Sequence, residues 1–221
     1  MAGPAEYGPP GPPAGRPLDS VEKVLTAGLA LGPELAYGAG MELSNWAEVH
    51  AGRLLRPLGR RWEHAQAVAE AARKLASGLT PEDAEVLVAA AYLHDIGYAH
   101  QLAVSGFHPL DGARHLRTLG RERLAGLVAH HTRAPHEARI RGMESLLADF
   151  DDEDNLVSAA LAYCDVTTGP SGERVTPEQR LIDVEARYGA GSPVTRGLRA
   201  AWPELMDAVD QVEAFRLQPA R

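Results

Sequence analysis

Residues Ala89 to His100 read AAAYLHDIGYAH, and this stretch decides the fold. It completes a run, Val86 to Leu93, that is apolar on every face, which is typical of a helix buried at the centre of a domain. His94 and Asp95 follow the run directly. Burial of a carboxylate is costly unless the carboxylate is paired, and the adjacent imidazole suggests that its partner is a metal ion.

Boundary motifs flank this run on both sides. Thr80-Pro81-Glu82-Asp83 combines a hydroxyl cap, a first-turn proline and carboxylates near the positive end of the helix dipole, which predicts a helix start. Gly97 is placed to end the helix as a left-handed C-cap.

The rest of the chain has the pattern of further helices. We expect residues 1–18, rich in proline and glycine, to form a disordered tail, and residues 19–221 to form one helical domain whose motif-bearing core spans about 45–168. Helices are predicted at Met41 to Leu55 and at Arg60 to Ala76. Since no strand-period stretch competes with them, the predicted fold class is all-α.

Several titratable residues lie on the apolar sides of these helices. His64 shares a stripe with Val68, Ala72 and Leu75. Leu124, Leu127, Val128 and His131 have helical spacing, so the His130-His131 pair is expected at the inner end of a buried stripe. Asp165 lies one turn beyond Leu161. His108 precedes Pro109 and is therefore expected at the mouth of the helix that this proline opens.

Only the combination of these residues is informative. About 0.5 His-Asp dipeptides are expected by chance in a chain of this composition, and one buried histidine is usually an ordinary core residue. However, His64, His94-Asp95, His130-His131 and Asp165 fall on four separate predicted helices. Neutral imidazoles with carboxylates suit first-row divalent ions, and the lack of cysteine ligands argues against a structural zinc site.

Composition narrows the class of protein. The net charge of -8 over 221 residues and the pI near 5.6 argue against a nucleic-acid polymer as a partner. The single cysteine, Cys164, excludes an internal disulfide and suits a reducing cytoplasm. With no secretory leader pattern and no apolar run near the length of a membrane span, we expect a cytoplasmic protein without a membrane partner.

The ordered set His64, His94-Asp95, His108, His130-His131 and Asp165 resembles the HD-domain metal-dependent phosphohydrolase superfamily in its larger, potentially dinuclear form. The resemblance covers roughly Asn45 to Asp165, and FHPLDGA and VAHHT are similar to the corresponding family segments. It implies an HD-domain helical bundle that holds one or two divalent transition metals (Mn, Fe, Ni, Co or Zn).

The resemblance also implies roles for individual residues. By it, one metal would be held by His64, His94, Asp95 and Asp165. His108, His130 and His131 would serve a second metal, with Asp95 bridging the two.

Departures from better-known branches leave the substrate open. HD-GYP cyclic dinucleotide phosphodiesterases carry lysine after HDIG where this chain has Tyr98, and a GYP segment is missing after His131. Their acidic residue one turn before the first histidine is Arg60 here. The acidic residues that follow HD in bacterial deoxynucleotidases are missing from Tyr98 to Leu102.

The favoured function is hydrolysis of a phosphoester of a small molecule, with a nucleotide as the leading candidate, by a metal-activated water. Asp95, His131 and Arg133 are the candidate catalytic residues. Arg133 is the candidate phosphate clamp, and its alternative role is that of a cation at a helix C-terminus. Arg61 is a weaker candidate clamp. His100, His115 and His136 are expected to face solvent.

Two other functions fit the same residues. Some HD-fold proteins with a similar ligand set use di-iron chemistry to activate oxygen. A non-catalytic, metal-stabilised domain that binds a nucleotide or a protein is the third possibility. Oligomeric state is not predicted.

Overall fold

A computed structural model describes residues 42–217, and every described element is helical. The first six α-helices are α1 (Leu43–Leu55), α2 (Arg60–Ala76), α3 (Pro81–Leu93), α4 (His108–Thr118), α5 (Glu122–His130) and α6 (Pro135–Arg141). The remaining five are α7 (Glu144–Leu147), α8 (Leu156–Val166), α9 (Pro177–Tyr188), α10 (Pro193–Ala200) and α11 (Trp202–Arg216). Short 3-10 helices occupy Arg56–Leu58, Ile96–Tyr98 and His131–Arg133.

The all-α fold class is confirmed, since the described residues contain one isolated β-bridge and no strand. The predicted helix at Arg60 to Ala76 has those bounds. The predicted tail at 1–18 lies outside the described residues, and the division of the chain into tail and single domain stays a prediction. No helix in residues 42–217 has the length and apolar composition needed to cross a membrane.

Helix α3 lies at the centre of the described bundle. Its residues Val86 to Leu93 are all buried, and α1, α2, α5 and α8 pack around it. Thr80 caps it, because its Oγ1 accepts a hydrogen bond from the backbone N–H of Asp83 at 3.2 Å. The apolar run therefore forms the central helix that its composition predicts.

The predicted role of Gly97 as a left-handed C-cap is wrong. Helix α3 ends at Leu93, His94 is its C-cap, and Gly97 lies within the following 3-10 turn without a positive φ. A Cβ at Gly97 would lie 2.0 Å from the carbonyl oxygen of His108. This position is glycine because the start of α4 packs directly on its backbone.

The C-terminal helices pack onto α8. Ala162 and Val166 of α8 form a buried apolar cluster with Ala201 and Leu205, where α10 ends and α11 begins. Because Asp165 lies in the last turn of α8, this packing helps to hold its carboxylate in the interior.

Candidate metal centre

Six of the seven predicted metal ligands meet in the interior of the bundle. They come from five places in the fold: the first half of α2, the end of α3, the first residue of α4, the turn after α5 and the last turn of α8. The six are His64, His94, Asp95, His108, His131 and Asp165. Five of them are buried, and the side chain of His108 is 15% exposed.

Two groups of metal-compatible donors overlap at Asp95. One consists of His64, His94 and Asp95, and the other of Asp95, His108 and His131; in each group the ligand atoms lie within 4.8 Å of one another. His108 Nε2 is 3.4 Å from Asp95 Oδ1 and 3.2 Å from His131 Nε2. Since the two carboxylate oxygens of Asp95 face different histidines, this residue is placed to bridge two ions.

Asp165 joins the first group from α8. Its Oδ1 lies 3.0 Å from His64 Nε2 and 3.9 Å from His94 Nε2. Its Oδ2 accepts a hydrogen bond from the Thr132 hydroxyl.

The ring orientations suit metal binding. The Nδ1 atoms of His64, His94 and His131 lie 3.0, 2.8 and 2.6 Å from the main-chain carbonyl oxygens of Gly169, Ala91 and Val128. A carbonyl only accepts, so each Nδ1 donates, and in the neutral ring the Nε2 lone pair is left facing the cluster. His94 Nε2 is buried without a hydrogen-bond partner among the described residues. A cation would satisfy that nitrogen, so the residues fit a metal.

Local charges keep the two carboxylates ionised. Burial alone would raise the pKa of Asp95, but the nearby groups of His94 and Arg61 outweigh it and hold the pKa well below its usual range. Burial likewise opposes ionisation of Asp165, whose pKa is lowered chiefly by its hydrogen bond with His64. Both side chains are therefore anionic at neutral pH.

Burial also disfavours the charged form of two imidazoles, and there it prevails. Burial lowers the pKa of His108 well below the usual value. It also lowers the pKa of His131, and the nearby His94 lowers that pKa further. Neutral imidazoles with anionic carboxylates are the protonation states that metal ligation requires.

His130 is the predicted ligand that the structure does not bring to the cluster. Its Nε2 lies 2.9 Å from the carbonyl oxygen of Phe150, and its Nδ1 is 3.7 Å from a carboxylate oxygen of Asp152. Helix α5 ends at His130, so the adjacent side chain of His131 turns inward while that of His130 faces the 149–154 loop. His130 therefore lies outside the clustered donors, although the sequence placed both members of the pair inward.

Two arginines contact the carboxylates directly. Arg61 Nη1 donates to Asp95 Oδ2 at 2.8 Å and Nη2 donates to the Tyr188 hydroxyl at 2.9 Å, while the guanidinium lies over the Tyr98 ring. Arg180 of α9 donates to Asp165 Oδ1 at 3.3 Å. The weaker candidate Arg61 thus lies in the cluster itself. Arg180 was missed, because no motif connects α9 with the histidines in sequence.

A cavity open to solvent lies against the cluster. Arg133 lines it and donates from Nη1 to Asp154 at 3.0 Å, and its buried Nε has no hydrogen-bond partner among the described residues. Thr132 and Arg133 both have positive φ angles, of 53° and 55°. Two successive non-glycine residues in the left-handed backbone conformation are strained, and such strain is concentrated at functional sites.

The remaining histidine predictions had mixed outcomes. His100 is exposed, but His115 is buried and its Nε2 lies 2.9 Å from that of His50, so the solvent-facing prediction for His115 is wrong. His136 is part-exposed and pairs with Glu204 at 2.7 Å. Cys164 is buried, and burial raises its pKa to about 12, which suits an inert core residue.

Comparison with known proteins gives one family match. The model of the HD domain matches residues 61–185, more than half of the chain, and this segment contains all six clustered donors. Neither the curated proteins nor the solved structures contain a match. Arg187 and Tyr188 lie beyond the matched segment.

Proposed function

This chain belongs to the HD domain family, whose members are largely metal-dependent hydrolases, and from that premise we propose that it hydrolyses a phosphoester of a small molecule, with a nucleotide as the leading candidate. The observation that carries the proposal is the buried His94 Nε2, which has no hydrogen-bond partner among the described residues and lies with five other donors beside an open cavity.

The donor set supports a proposal of two divalent ions. His64, His94, Asp95 and Asp165 would hold one, and Asp95, His108 and His131 would hold the other, with Asp95 shared. Ions bound there would supply a water of lowered pKa, toward ~7 from ~15.7, and would offset the charge that develops on phosphoryl oxygens.

The chain's own residues position the reacting groups. Arg61 fixes one oxygen of Asp95, and Thr132 and Arg180 hold the two oxygens of Asp165. Arg133 presents a part-buried guanidinium to the cavity wall, where its N–H groups can donate to phosphate oxygens as a clamp. A phosphate in this cavity would therefore have both the proposed metal ligands and the N–H donors of Arg133 in the walls around it.

Replacement of the shared carboxylate tests this proposal. We expect Asp95→Asn to lower the amount of bound metal, measured by mass spectrometry. Hydrolysis of aryl phosphates and nucleotides with Mn, Ni, Co or Zn should fall by at least about 100-fold. Loss of a residue that binds the metal directly should cost more than the roughly 10–100-fold that loss of a residue supporting such a ligand costs. Asp152→Asn is the matched control, because Asp152 lies outside the donor set.

Circular dichroism and thermal melting would show that both variants are folded. Hydrolysis that persists in Asp95→Asn without metal would contradict the proposal. So would an iron-loaded protein that consumes oxygen and hydrolyses no phosphoester, or a metal-loaded protein that turns over none of the probes.

A further inference from the structure

Helix α9 places two arginines in the wall of the cavity. Arg180 and Arg187 both line it, with side chains 14% and 20% exposed. They flank Asp183 at spacings of three and four residues and therefore lie on one face of the helix.

One carboxylate oxygen serves both guanidinium groups. Asp183 Oδ2 lies 3.4 Å from Arg180 Nη1, 3.0 Å from Arg187 Nε and 2.7 Å from Arg187 Nη2. These contacts hold the two cations close together. Asp183 supplies one negative charge to two cations, and the other carboxylate that Arg180 contacts, Asp165, is a proposed metal ligand. With a metal bound at Asp165, the pair would present excess positive charge to the cavity.

The rest of the wall does not compensate for this excess. Arg61 and Arg133 also line the cavity. Arg133 is paired with the exposed Asp154, while Arg61 is paired with Asp95, which like Asp165 is a proposed metal ligand. The third acid, Glu137, is paired with Arg141 at 2.6 Å. Once cations bind, the cavity is positive on both sides, which favours an anionic ligand larger than one phosphate.

We propose that Arg180 and Arg187 form a second anion subsite, and that the substrate carries a second phosphate-like group besides the scissile phosphoester. This inference rests on the proposed function. The metal donors would face the scissile group, and the shared Asp183 would orient the two guanidinium forks toward the other group.

Arg187 gives the cleaner test of the two arginines. Arg180 also lies 3.3 Å from Asp165 Oδ1 and 3.5 Å from His64 Nε2, so its loss would disturb the metal donors. Within the described residues, Arg187 makes no hydrogen bond or ion pair with any of those donors, and it lies beyond the segment shared with the family. It can therefore carry a substrate preference of this chain without holding the metal.

The experiment measures the binding of phosphonates to the full, metal-loaded chain by calorimetry. The probes are methylphosphonate, with one anionic group, and methylene and propylene bisphosphonates, with two. We expect the wild-type protein to bind at least one bisphosphonate ten or more times more tightly than methylphosphonate, as a charge-assisted contact is worth roughly tenfold or more. Arg187→Gln should reduce this preference to less than about threefold, and Arg187→Lys should retain part of it.

Arg199→Gln is the matched control. Arg199 is an exposed arginine of α10 that pairs with Glu185 of α9 and does not line the cavity, so the preference should stay at its wild-type value. Metal content is measured in each protein before and after titration, because bisphosphonates chelate cations. Comparing the bisphosphonate-to-methylphosphonate affinity ratio of the variants at equal metal content removes the contribution of chelation.

The outcomes separate this inference from the function on which it rests. Equal affinity for the two probe classes in the wild-type protein, or a preference that survives in Arg187→Gln, would overturn the subsite even if phosphoesters are hydrolysed. A preference that depends on Arg187 in a protein that hydrolyses no phosphoester would support the subsite and overturn the proposed function.

Discussion

At the scale of single residues, the centre depends on which ring nitrogen of each histidine is used. Main-chain carbonyls accept from Nδ1 of His64, His94 and His131, so the geometry of the backbone determines that Nε2 faces the cluster. Backbone contacts of this kind orient a ligand before the metal arrives, which reduces the entropy lost on binding.

Gly97 provides a test at this scale. Gly97→Ala places a methyl group 2.0 Å from the carbonyl oxygen of His108 and 2.7 Å from the backbone nitrogen of Gly112. Because backbone atoms cannot swing away, we expect the free energy of unfolding to fall by about 3 kcal/mol or more and metal affinity to fall with it. Urea unfolding and metal titration would measure these effects.

Gly191→Ala is the control for that substitution. A Cβ there meets no heavy atom within 4 Å, and the residue has no positive φ, so stability should change by less than about 1 kcal/mol. If Gly97→Ala were as stable as this control, the close packing of α4 against the 3-10 turn would be contradicted.

At the scale of secondary-structure elements, the cap of α3 determines where the central helix begins. Thr80 accepts from the Asp83 N–H at 3.2 Å and donates to its carboxylate at 2.9 Å. A well-defined start sets the register of the helix, and the register decides that His94 and Asp95 arrive at the buried end. Helix α8 begins in a similar way, with a capping box between Asn155 and Ser158.

Removal of the cap should weaken the fold without touching the centre. We expect Thr80→Ala to lower the free energy of unfolding by about 1 kcal/mol and to leave bound metal unchanged. Ser77→Ala is the comparison, since no side-chain hydrogen bond of Ser77 is present in the described residues, and its effect should be below about 0.5 kcal/mol. Equal melting temperatures for the two variants would argue that the cap contributes nothing.

At the scale of the whole described chain, contacts between distant helices determine the response to acid. His50 of α1 and His115 of α4 face each other across the bundle, with their Nε2 atoms 2.9 Å apart and their rings stacked at 5.1 Å. Burial, followed by the nearby His115 and Arg53, lowers the pKa of His50 to about 4. The folded chain therefore resists protonation at His50 more than the unfolded chain does.

Stability should fall as the pH falls through this window. Between about pH 6.5 and about pH 4 the unfolded chain binds a proton at His50 and the folded chain does not, so the free energy of unfolding decreases with falling pH and this contribution levels off below about 4. The decrease reaches up to about 3 kcal/mol for a shift of this size. Urea unfolding at a series of pH values would measure it.

His50→Gln isolates this contribution. The variant also loses the stacked ring contacts, and this loss shifts its stability equally at every pH. The difference in free energy of unfolding between variant and wild type should therefore change only between about pH 6.5 and about pH 4. A difference that is constant from pH 7 to pH 4 would mean that His50 titrates normally in the folded protein.

Local sequence patterns determined much of this protein. The composition of Val86 to Leu93 predicts a buried central helix because no face of it can tolerate water, and the structure places that helix in the middle of the bundle. Helical periodicity also put His64 and His131 on inward faces, since a side chain three or four residues from core residues shares their side of the helix. Both features require information from only one or two turns of helix, so the sequence was sufficient.

Long-range packing decided what the sequence left open. His130 and His131 are neighbours, and only the end of α5 and the 149–154 loop decide that His130 turns to Phe150. Arg180 reaches Asp165 only because α9 folds back over the end of α8, and Gly97 is required only because α4 packs on its backbone. The physical reason is the same in each case: these contacts join segments whose approach depends on the packing of the whole bundle, and no local period in the sequence encodes it.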